Sequence, residues 1–132
     1  MPNEKILVVE GEAIVAKDIQ NTLKSLGYDA PAIALSGEEA INKSEEIHPD
    51  LLFMGIVLKG EIDGIEAAEK IRNHFNIPVV YLAAYMDEKT LQRAETTGPF
   101  GYILKPFEER ELHTTIETTL YRFRDLKSVK GE

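Results

Sequence analysis

An unbroken apolar run at residues 51–54, Leu-Leu-Phe-Met, constrains the fold of this chain more than any other feature. A strand with one face in water alternates apolar and polar residues, whereas a strand covered by helices on both faces does not. The run is shorter than a helix, and Pro49 and Asp50 come directly before it. It therefore predicts the buried central strand of a parallel sheet.

The rest of the chain alternates strand-like and helix-like segments. The predicted strands are 6–9, 29–35 (a weak edge strand that carries Pro31), 51–54, 78–82 and 102–104. The predicted helices are 13–26 (ended by Gly27), 37 to about 48, 65–75, 87 to about 96 and 108 to about 127. This (βα)5 order predicts an α/β fold with a doubly wound, five-stranded parallel sheet of the flavodoxin-like type. We expect one domain over residues 1–132, with a core at about 5–121 and a polar tail at about 125–132.

Two helix starts carry recognisable capping residues. Ser36 followed by Glu39 has the spacing of a capping box, and Asp87 is the expected N-cap of the fourth helix. Residues 59–63 are polar and are predicted to form a loop. These local signals place the helix boundaries independently of the apolar pattern.

Charge and composition argue against several functional classes. The net charge of −8 disfavours nucleic acid and anionic membranes as partners, because both attract basic surfaces. The lack of cysteine excludes disulfides, thiolate metal sites and cysteine nucleophiles. Residues 1–5 do not resemble a signal peptide, and no apolar run reaches the roughly 18 residues of a membrane span. We therefore expect a cytoplasmic protein.

In a sheet of this kind, ligands bind outside the carboxyl ends of the strands. The residues at those ends are Glu10-Gly11-Glu12, Met54-Gly55-Ile56, Leu82-Ala83-Ala84 and Lys105-Pro106-Phe107. No glycine-rich phosphate loop follows the first strand, so a nucleotide site is not expected. We also find no flavin signature, and we expect a protein that is not an enzyme.

Four segments, in this order and at this spacing, resemble the receiver domain of two-component response regulators. They are Ile6-Leu7-Val8-Val9-Glu10, Pro49-Asp50-Leu51-Leu52-Phe53-Met54, Asp63-Gly64-Ile65-Glu66-Ala67-Ala68 and Gly101-Tyr102-Ile103-Leu104-Lys105-Pro106-Phe107. The resemblance covers about residues 5–121. It implies two acidic Mg²⁺ ligands after the first strand, a phosphoaccepting aspartate after the third, a hydroxyl after the fourth and a lysine after the fifth.

The chain keeps only part of the family's site. Glu10, Lys105 and Tyr102 stand at matching positions, whereas Gly11 replaces the second acidic residue, Gly55 the phosphoacceptor and Ala83 the hydroxyl. Glycine has no nucleophile, so the family's reaction is not expected at residue 55. We expect no cofactor, and at most weak Mg²⁺ binding through Glu10 and Glu12, because Mg²⁺ needs octahedral oxygen ligation.

Three further expectations concern individual side chains. The Lys105-Pro106 bond is predicted to be cis, with Lys105 paired to Glu10. Tyr102 fits either a switch residue or an ordinary amphipathic strand residue. The three histidines, His48, His74 and His113, lack metal-ligand spacing on one helix face and are expected at the surface.

These observations leave three hypotheses open. The first is a pseudo-receiver that binds a protein partner, such as a histidine kinase or an output domain, through the helix at 87–96, the strand at 101–104 and the helix at 108–127, or that forms a homodimer there. The second is a genuine phosphoaccepting regulator whose site was deleted by engineering, since all three departures are to glycine or alanine. The third is a flavodoxin-like enzyme with a cofactor site that the sequence does not reveal.

Overall fold

The computed structural model describes residues 4–129 as a parallel sheet with helices on both faces. Its elements are β1 (Ile6–Val9), α1 (Ala13–Ser25), β2 (Ile33–Ala34), α2 (Gly37–Ile47), β3 (Leu51–Gly55), α3 (Gly64–Phe75), β4 (Val79–Ala83), α4 (Glu88–Glu95), β5 (Gly101–Leu104) and α5 (Glu109–Val129). The strand order is β2-β1-β3-β4-β5, and every neighbouring pair is parallel. The predicted (βα)5 fold is confirmed, and the apolar run at 51–54 does form the central strand.

Side-chain alternation along the strands produces two separate cores. Ile6 and Val8 point to the face covered by α1 and α5, whereas Leu7 and Val9 point to the face covered by α2, α3 and α4. All four of these residues have no exposed surface. A strand buried on both faces therefore needs apolar residues at every position, which is why the sequence shows no polar alternation there.

The weak second strand is shorter than predicted. Only Ile33 and Ala34 pair with β1, although 29–35 was the expected range. Lys5 and Asp29 form an isolated bridge, so pairing resumes before Pro31 but not through it. Proline cannot donate to a ladder, and this is the physical reason for the interruption. The predicted edge position is confirmed.

The predicted helix caps are confirmed with one change. Ser36 and Asp87 accept hydrogen bonds from the amides of Glu39 and Thr90, as an N-cap should. The expected capping box at α2 is not closed, because the Glu39 carboxylate accepts from the Leu35 amide instead of the Ser36 amide. A full capping box does form at α3, where none was predicted.

The helix ends also follow local chemistry. Gly27 has a φ of 98°, in the left-handed region that favours glycine, and it lies two residues beyond the end of α1. Helix α5 runs to Val129, beyond the predicted end at about 127, so most of the expected tail is helical. Residues 1–3 and 130–132, on which the predicted N-terminal character and the last part of the tail fall, lie outside the described residues. Within 4–129, no helix is long and apolar enough to span a membrane.

Candidate functional site

The strand register brings the four predicted site positions to one edge of the sheet. Val9 pairs with Met54, so Glu10 and Gly55 follow at the same level. Gly55 pairs with Leu82. Ala83 pairs with Leu104, which places Lys105 next. A crevice with a cavity of about 690 Å³ opens at this edge, lined by residues from all four strand ends.

A partly buried ion pair lines this crevice. The Lys105 Nζ atom lies 2.7 Å from the Glu10 Oε1 atom and donates a hydrogen bond to it. The Glu10 side chain is 6% exposed and that of Lys105 is 27% exposed. Because water reaches the lysine more easily than the carboxylate, losing the partner should cost Glu10 more free energy than it costs Lys105. The predicted pair is confirmed, and so is the cis Lys105-Pro106 bond.

The two glycines at the site have different surroundings. A Cβ atom built on Gly55 would lie 3.2 Å from the Val9 carbonyl oxygen and 3.4 Å from Glu10 Oε1, so a side chain there would point at the Glu10 carboxylate. A Cβ atom built on Gly11 would lie only 2.9 Å from the Val57 carbonyl oxygen. A side chain at either position would therefore meet backbone closely, and more closely at position 11 than at position 55.

The position expected for a hydroxyl carries a buried apolar residue. Ala83 is 7% exposed and ends β4, with its carbonyl oxygen accepting the Lys105 amide at 2.8 Å. Thr90, on α4, carries a hydroxyl group of the expected kind and also lines the cavity. Nothing in the sequence pattern pointed to Thr90, because only the folded chain brings α4 over the end of β4.

The residues present do not fit a dedicated magnesium site. Among residues 4–129, no three carboxylate or imidazole groups converge in a way that could hold a metal ion. Glu10 is bound to Lys105, and Glu12 is exposed at the start of α1. Mg²⁺ prefers an octahedral set of oxygen ligands. Weak binding through Glu10 and Glu12 stays a prediction.

Tyr102 is held away from the crevice by a contact with α4. Its hydroxyl donates to the Glu95 Oε2 atom at 2.8 Å, and its ring stacks on that of Tyr81 with 6.0 Å between centroids. Burial first, and the neighbouring Glu95 carboxylate second, raise the pKa of Tyr102. Tyr81 is itself buried, and its hydroxyl lies 2.7 Å from the Thr97 hydroxyl. Both tyrosines thus attach the end of α4 to the sheet.

Asp63, which caps α3, also connects α4 to the loop that follows β3. Asp63 accepts from the Glu66 amide, and Glu66 accepts from the Asp63 amide, both at 2.9 Å. The Asp63 Oδ2 atom also lies 2.9 Å from Arg93 Nη2 on α4. The Asp63-x-x-Glu66 spacing is a capping-box signal in the sequence that the prediction of a polar loop at 59–63 does not include.

The three histidines are exposed, as predicted, and they lie apart from the crevice. His48 takes a left-handed conformation beyond the end of α2. The His74 Nδ1 atom lies 2.9 Å from the Lys70 carbonyl oxygen. His113 has a partner that the sequence did not suggest, since its Nδ1 atom lies 3.0 Å from the Tyr28 hydroxyl. These contacts suit structural roles.

The Tyr28 hydroxyl also donates to the Glu117 carboxylate at 2.6 Å, which joins the end of α1 to α5. Burial, followed by the Glu117 hydrogen bond, raises the pKa of Tyr28. The residues that form this contact are 89 positions apart in the chain. Sequence spacing alone could not have paired them.

Comparison with known proteins gives one consistent family. The family model described as "Response regulator receiver domain" matches residues 6–117. The transcriptional regulatory protein PdtaR of Mycobacterium tuberculosis (strain ATCC 25618 / H37Rv) is 33% identical over 128 residues, which are 97% of this chain and 62% of that protein. The alkaline phosphatase synthesis transcriptional regulatory protein PhoP of Bacillus subtilis (strain 168) is 34% identical over 121 residues, which are 91% of this chain and 50% of that protein. The chain thus spans half to three fifths of the length of these two relatives.

Solved structures agree with the sequence comparison. The signal receiver domain of a modulated diguanylate cyclase from Desulfovibrio desulfuricans G20 superposes with a TM-score of 0.88 at 32% identity, covering 93% of this chain and 98% of that one. The N-terminal domain of a response regulator/sensory box/GGDEF 3-domain protein from Carboxydothermus hydrogenoformans gives 0.84 at 34% identity, covering 92% and 98%. With the fold, the arrangement of the strand ends and these matches together, the chain belongs to the response regulator receiver domain family of two-component systems.

Proposed function

We propose that this chain is a receiver domain that accepts no phosphoryl group and transmits its signal through protein contacts alone. The observation that carries the proposal is Gly55. It ends the central strand beside Glu10, at the position where the family resemblance calls for the phosphoaccepting aspartate, and glycine supplies no nucleophile.

The charges around Gly55 support the same view. Phosphoryl transfer depends on groups that neutralise charge on the phosphoryl oxygens. The ammonium group of Lys105 is already hydrogen-bonded to Glu10, and Gly11 supplies no second carboxylate for a cation. We propose that the crevice is held in one state by this ion pair, and that the domain has no catalytic turnover of its own.

The surface formed by α4, β5 and α5 is the proposed contact surface. Within residues 88–126, four large apolar side chains on these elements are exposed, which are Leu91, Leu104, Tyr121 and Leu126. Exposed apolar groups that lie on adjacent elements are typical of protein-binding surfaces. We propose that this surface binds a histidine kinase or an output domain, or a second copy of the chain, in the cytoplasm.

Intact-mass measurement tests the absence of phosphorylation. The chain is incubated with acetyl phosphate and Mg²⁺ beside a triple variant, Gly11→Asp, Gly55→Asp and Ala83→Thr. We expect one added phosphoryl group on the triple variant and none on the unchanged chain. A phosphoryl group on the unchanged chain would refute the proposal. Its absence from both would mean that the receiver frame itself no longer supports transfer.

Self-association tests the contact surface with a matched pair of variants. Leu104→Glu places a charge on the proposed surface, and Ile14→Glu places the same charge on α1, which is not part of that surface and where Ile14 is 85% exposed. In sedimentation velocity, with and without acetyl phosphate, we expect Leu104→Glu alone to reduce dimer formation. If the chain is monomeric, the same two variants are compared for binding to the histidine kinases of the source genome. A dependence of binding on acetyl phosphate would contradict the proposal.

A further inference from the structure

Two arginine side chains converge on one aromatic ring at the edge of the sheet opposite the crevice. The guanidinium carbon atoms of Arg72, in the last turn of α3, and of Arg122, in the second half of α5, each lie 5.8 Å from the centroid of the Phe100 ring. Phe100 directly precedes β5, and because the strands are parallel this places it at the amino ends of the strands. We call Arg72, Phe100 and Arg122 the arginine patch.

The arginine patch is held in place by contacts with its neighbours. The Phe100 amide donates to the Val79 carbonyl oxygen at 2.9 Å, and the Arg72 Nη1 atom donates to the Gly98 carbonyl oxygen. The Phe100 ring meets the Phe123 ring edge-on, with 5.7 Å between their centroids. A guanidinium group near an aromatic ring is attracted by the quadrupole of the ring. The two cations are therefore positioned before any partner binds.

Neither arginine of the patch is neutralised by a carboxylate of the chain. Within residues 4–126, no carboxylate oxygen lies within ion-pair distance of Arg72 or Arg122. Arg122 donates no side-chain hydrogen bond in that range, and Arg72 uses only its Nη1 atom. The chain carries 23 acidic residues against 15 lysines and arginines, so unpaired neighbouring cations are unexpected here. Their remaining N–H groups are available to a partner outside the chain.

An apolar groove adjoins the arginine patch through Phe123. The groove has a volume of about 510 Å³ and lies between α5 and the turns that precede β3 and β4. Its apolar walls are formed by Pro49, Phe75, Ile77, Pro78, Leu120 and Phe123. Asp50 is the one carboxylate on its lining, and its Oδ2 atom accepts a hydrogen bond from the Lys5 amide at 2.8 Å. The groove thus offers apolar contact directly beside the two cations.

We infer that the arginine patch and the adjoining groove bind an acidic segment of a protein partner, one that carries an apolar side chain beside its carboxylates. Guanidinium groups bind carboxylates through paired N–H···O hydrogen bonds, and the apolar side chain enters the groove. A long polyanion such as nucleic acid is disfavoured, because it extends beyond the patch over a surface whose net charge is −8. The site shares α5 with the contact surface proposed above but uses other side chains, and it does not depend on that proposal.

A labelled peptide, Glu-Glu-Leu-Glu-Glu, tests the inference on the unchanged chain. It is titrated at low ionic strength, with backbone amide and arginine Nε NMR signals as the readout. We expect the largest shifts at the amides of Gly98, Phe100 and Phe123 and at the Nε signals of Arg72 and Arg122. The peptide Lys-Lys-Leu-Lys-Lys should shift none of these signals. No binding of the acidic peptide, or binding that shifts signals elsewhere, would overturn the inference.

Two double variants with the same change of charge separate the patch from the rest of the surface. Arg72→Gln/Arg122→Gln removes both cations of the patch, whereas Lys17→Gln/Arg110→Gln removes one exposed cation from α1 and one from the first turn of α5. We expect the first pair to weaken binding of the acidic peptide by about tenfold, because two charge-assisted contacts are lost, and the second by less than about twofold. Equal weakening by the two pairs would mean that overall charge attracts the peptide, and it would refute the role of the patch.

Two further probes test the groove and the kind of partner. The peptide Glu-Glu-Gly-Glu-Glu lacks the apolar side chain and should bind at least about threefold more weakly than the leucine peptide. Equal binding of these two peptides would contradict the role of the groove. A thymidine oligonucleotide that shifts the same signals and binds more tightly than the leucine peptide would replace the protein partner by a nucleic acid. None of these results depends on whether the chain accepts a phosphoryl group.

Discussion

The ion pair between Lys105 and Glu10 predicts that substituting the lysine destabilises the fold more than substituting the carboxylate does. Breaking an exposed pair costs about 0–1 kcal/mol, whereas stranding one charge of a buried pair costs about 3–5 kcal/mol. Glu10 is almost wholly buried, while Lys105 retains a quarter of its side-chain exposure. For Lys105→Met we therefore expect an intermediate loss of about 1–3 kcal/mol, because the Glu10 carboxylate is left in the crevice without its partner.

The reverse substitution should cost less. In Glu10→Gln the amide oxygen still accepts from Lys105, and the lysine can turn towards solvent, so the expected loss is about 0–1 kcal/mol. In the double variant, Lys105→Met should cost less than it does alone, because no unpaired carboxylate remains.

Urea unfolding of the four proteins in this cycle measures these differences. For a chain of this length, about 1 kcal/mol corresponds to roughly 4 °C in melting temperature, so thermal melts give a second reading. Lys17→Met is the control, because Lys17 is exposed on α1 and its side chain forms no hydrogen bond or ion pair within residues 4–129. If Lys105→Met costs no more than Lys17→Met, Glu10 is hydrated in solution and the pair does not stabilise the crevice.

The effects of three further substitutions on stability follow from local features of the structure. Burial raises the pKa of Tyr81 from 10.0 to about 12. Because the folded value lies above the unfolded one, the neutral form is favoured by folding, and this stability is present below pH 10 and lost as the pH rises to about 12. The loss is about 2–3 kcal/mol at most. In urea titrations at pH 9 to 11, the free energy of unfolding should fall less with pH for Tyr81→Phe than for the unchanged chain. Asp63→Ala removes the N-cap of α3 and the ion pair with Arg93, so unfolding should become easier by about 1–2 kcal/mol, with a smaller effect for Asp63→Asn, which can still cap. Gly27→Ala should cost about 1 kcal/mol because of its φ of 98°, although no atom lies within 4 Å of its Cβ position, and Gly27→Asn should cost less; equal losses for alanine and asparagine would contradict the conformational explanation.

Much of the fold could be read from local sequence, and the exceptions have identifiable causes. Strands β1 and β3 follow from apolar runs, and the start of α4 follows from Asp87, because burial on two faces and capping are set by a few neighbouring residues. The length of β2 follows only in part from its own residues, because Pro31 interrupts the pairing, but which of the other residues find partners on β1 is decided by the fold. The hydrogen bond from the Leu35 amide to the Glu39 carboxylate is likewise not evident from the local sequence.

Some features of the candidate site are likewise evident from the sequence, and others depend on the fold. The sequence by itself determined that no nucleophile stands at residue 55 and that Glu10 and Lys105 are the charged groups left at the strand ends. The family resemblance predicted that these two groups, 95 residues apart, would pair, and only the tertiary structure shows that they meet at 2.7 Å in a partly buried contact. Only the tertiary structure decided that a Cβ atom at residue 11 would lie 2.9 Å from the Val57 carbonyl oxygen. Residue type is a local property, whereas the contacts of a side chain depend on strand order and loop anchoring, which the whole chain sets together.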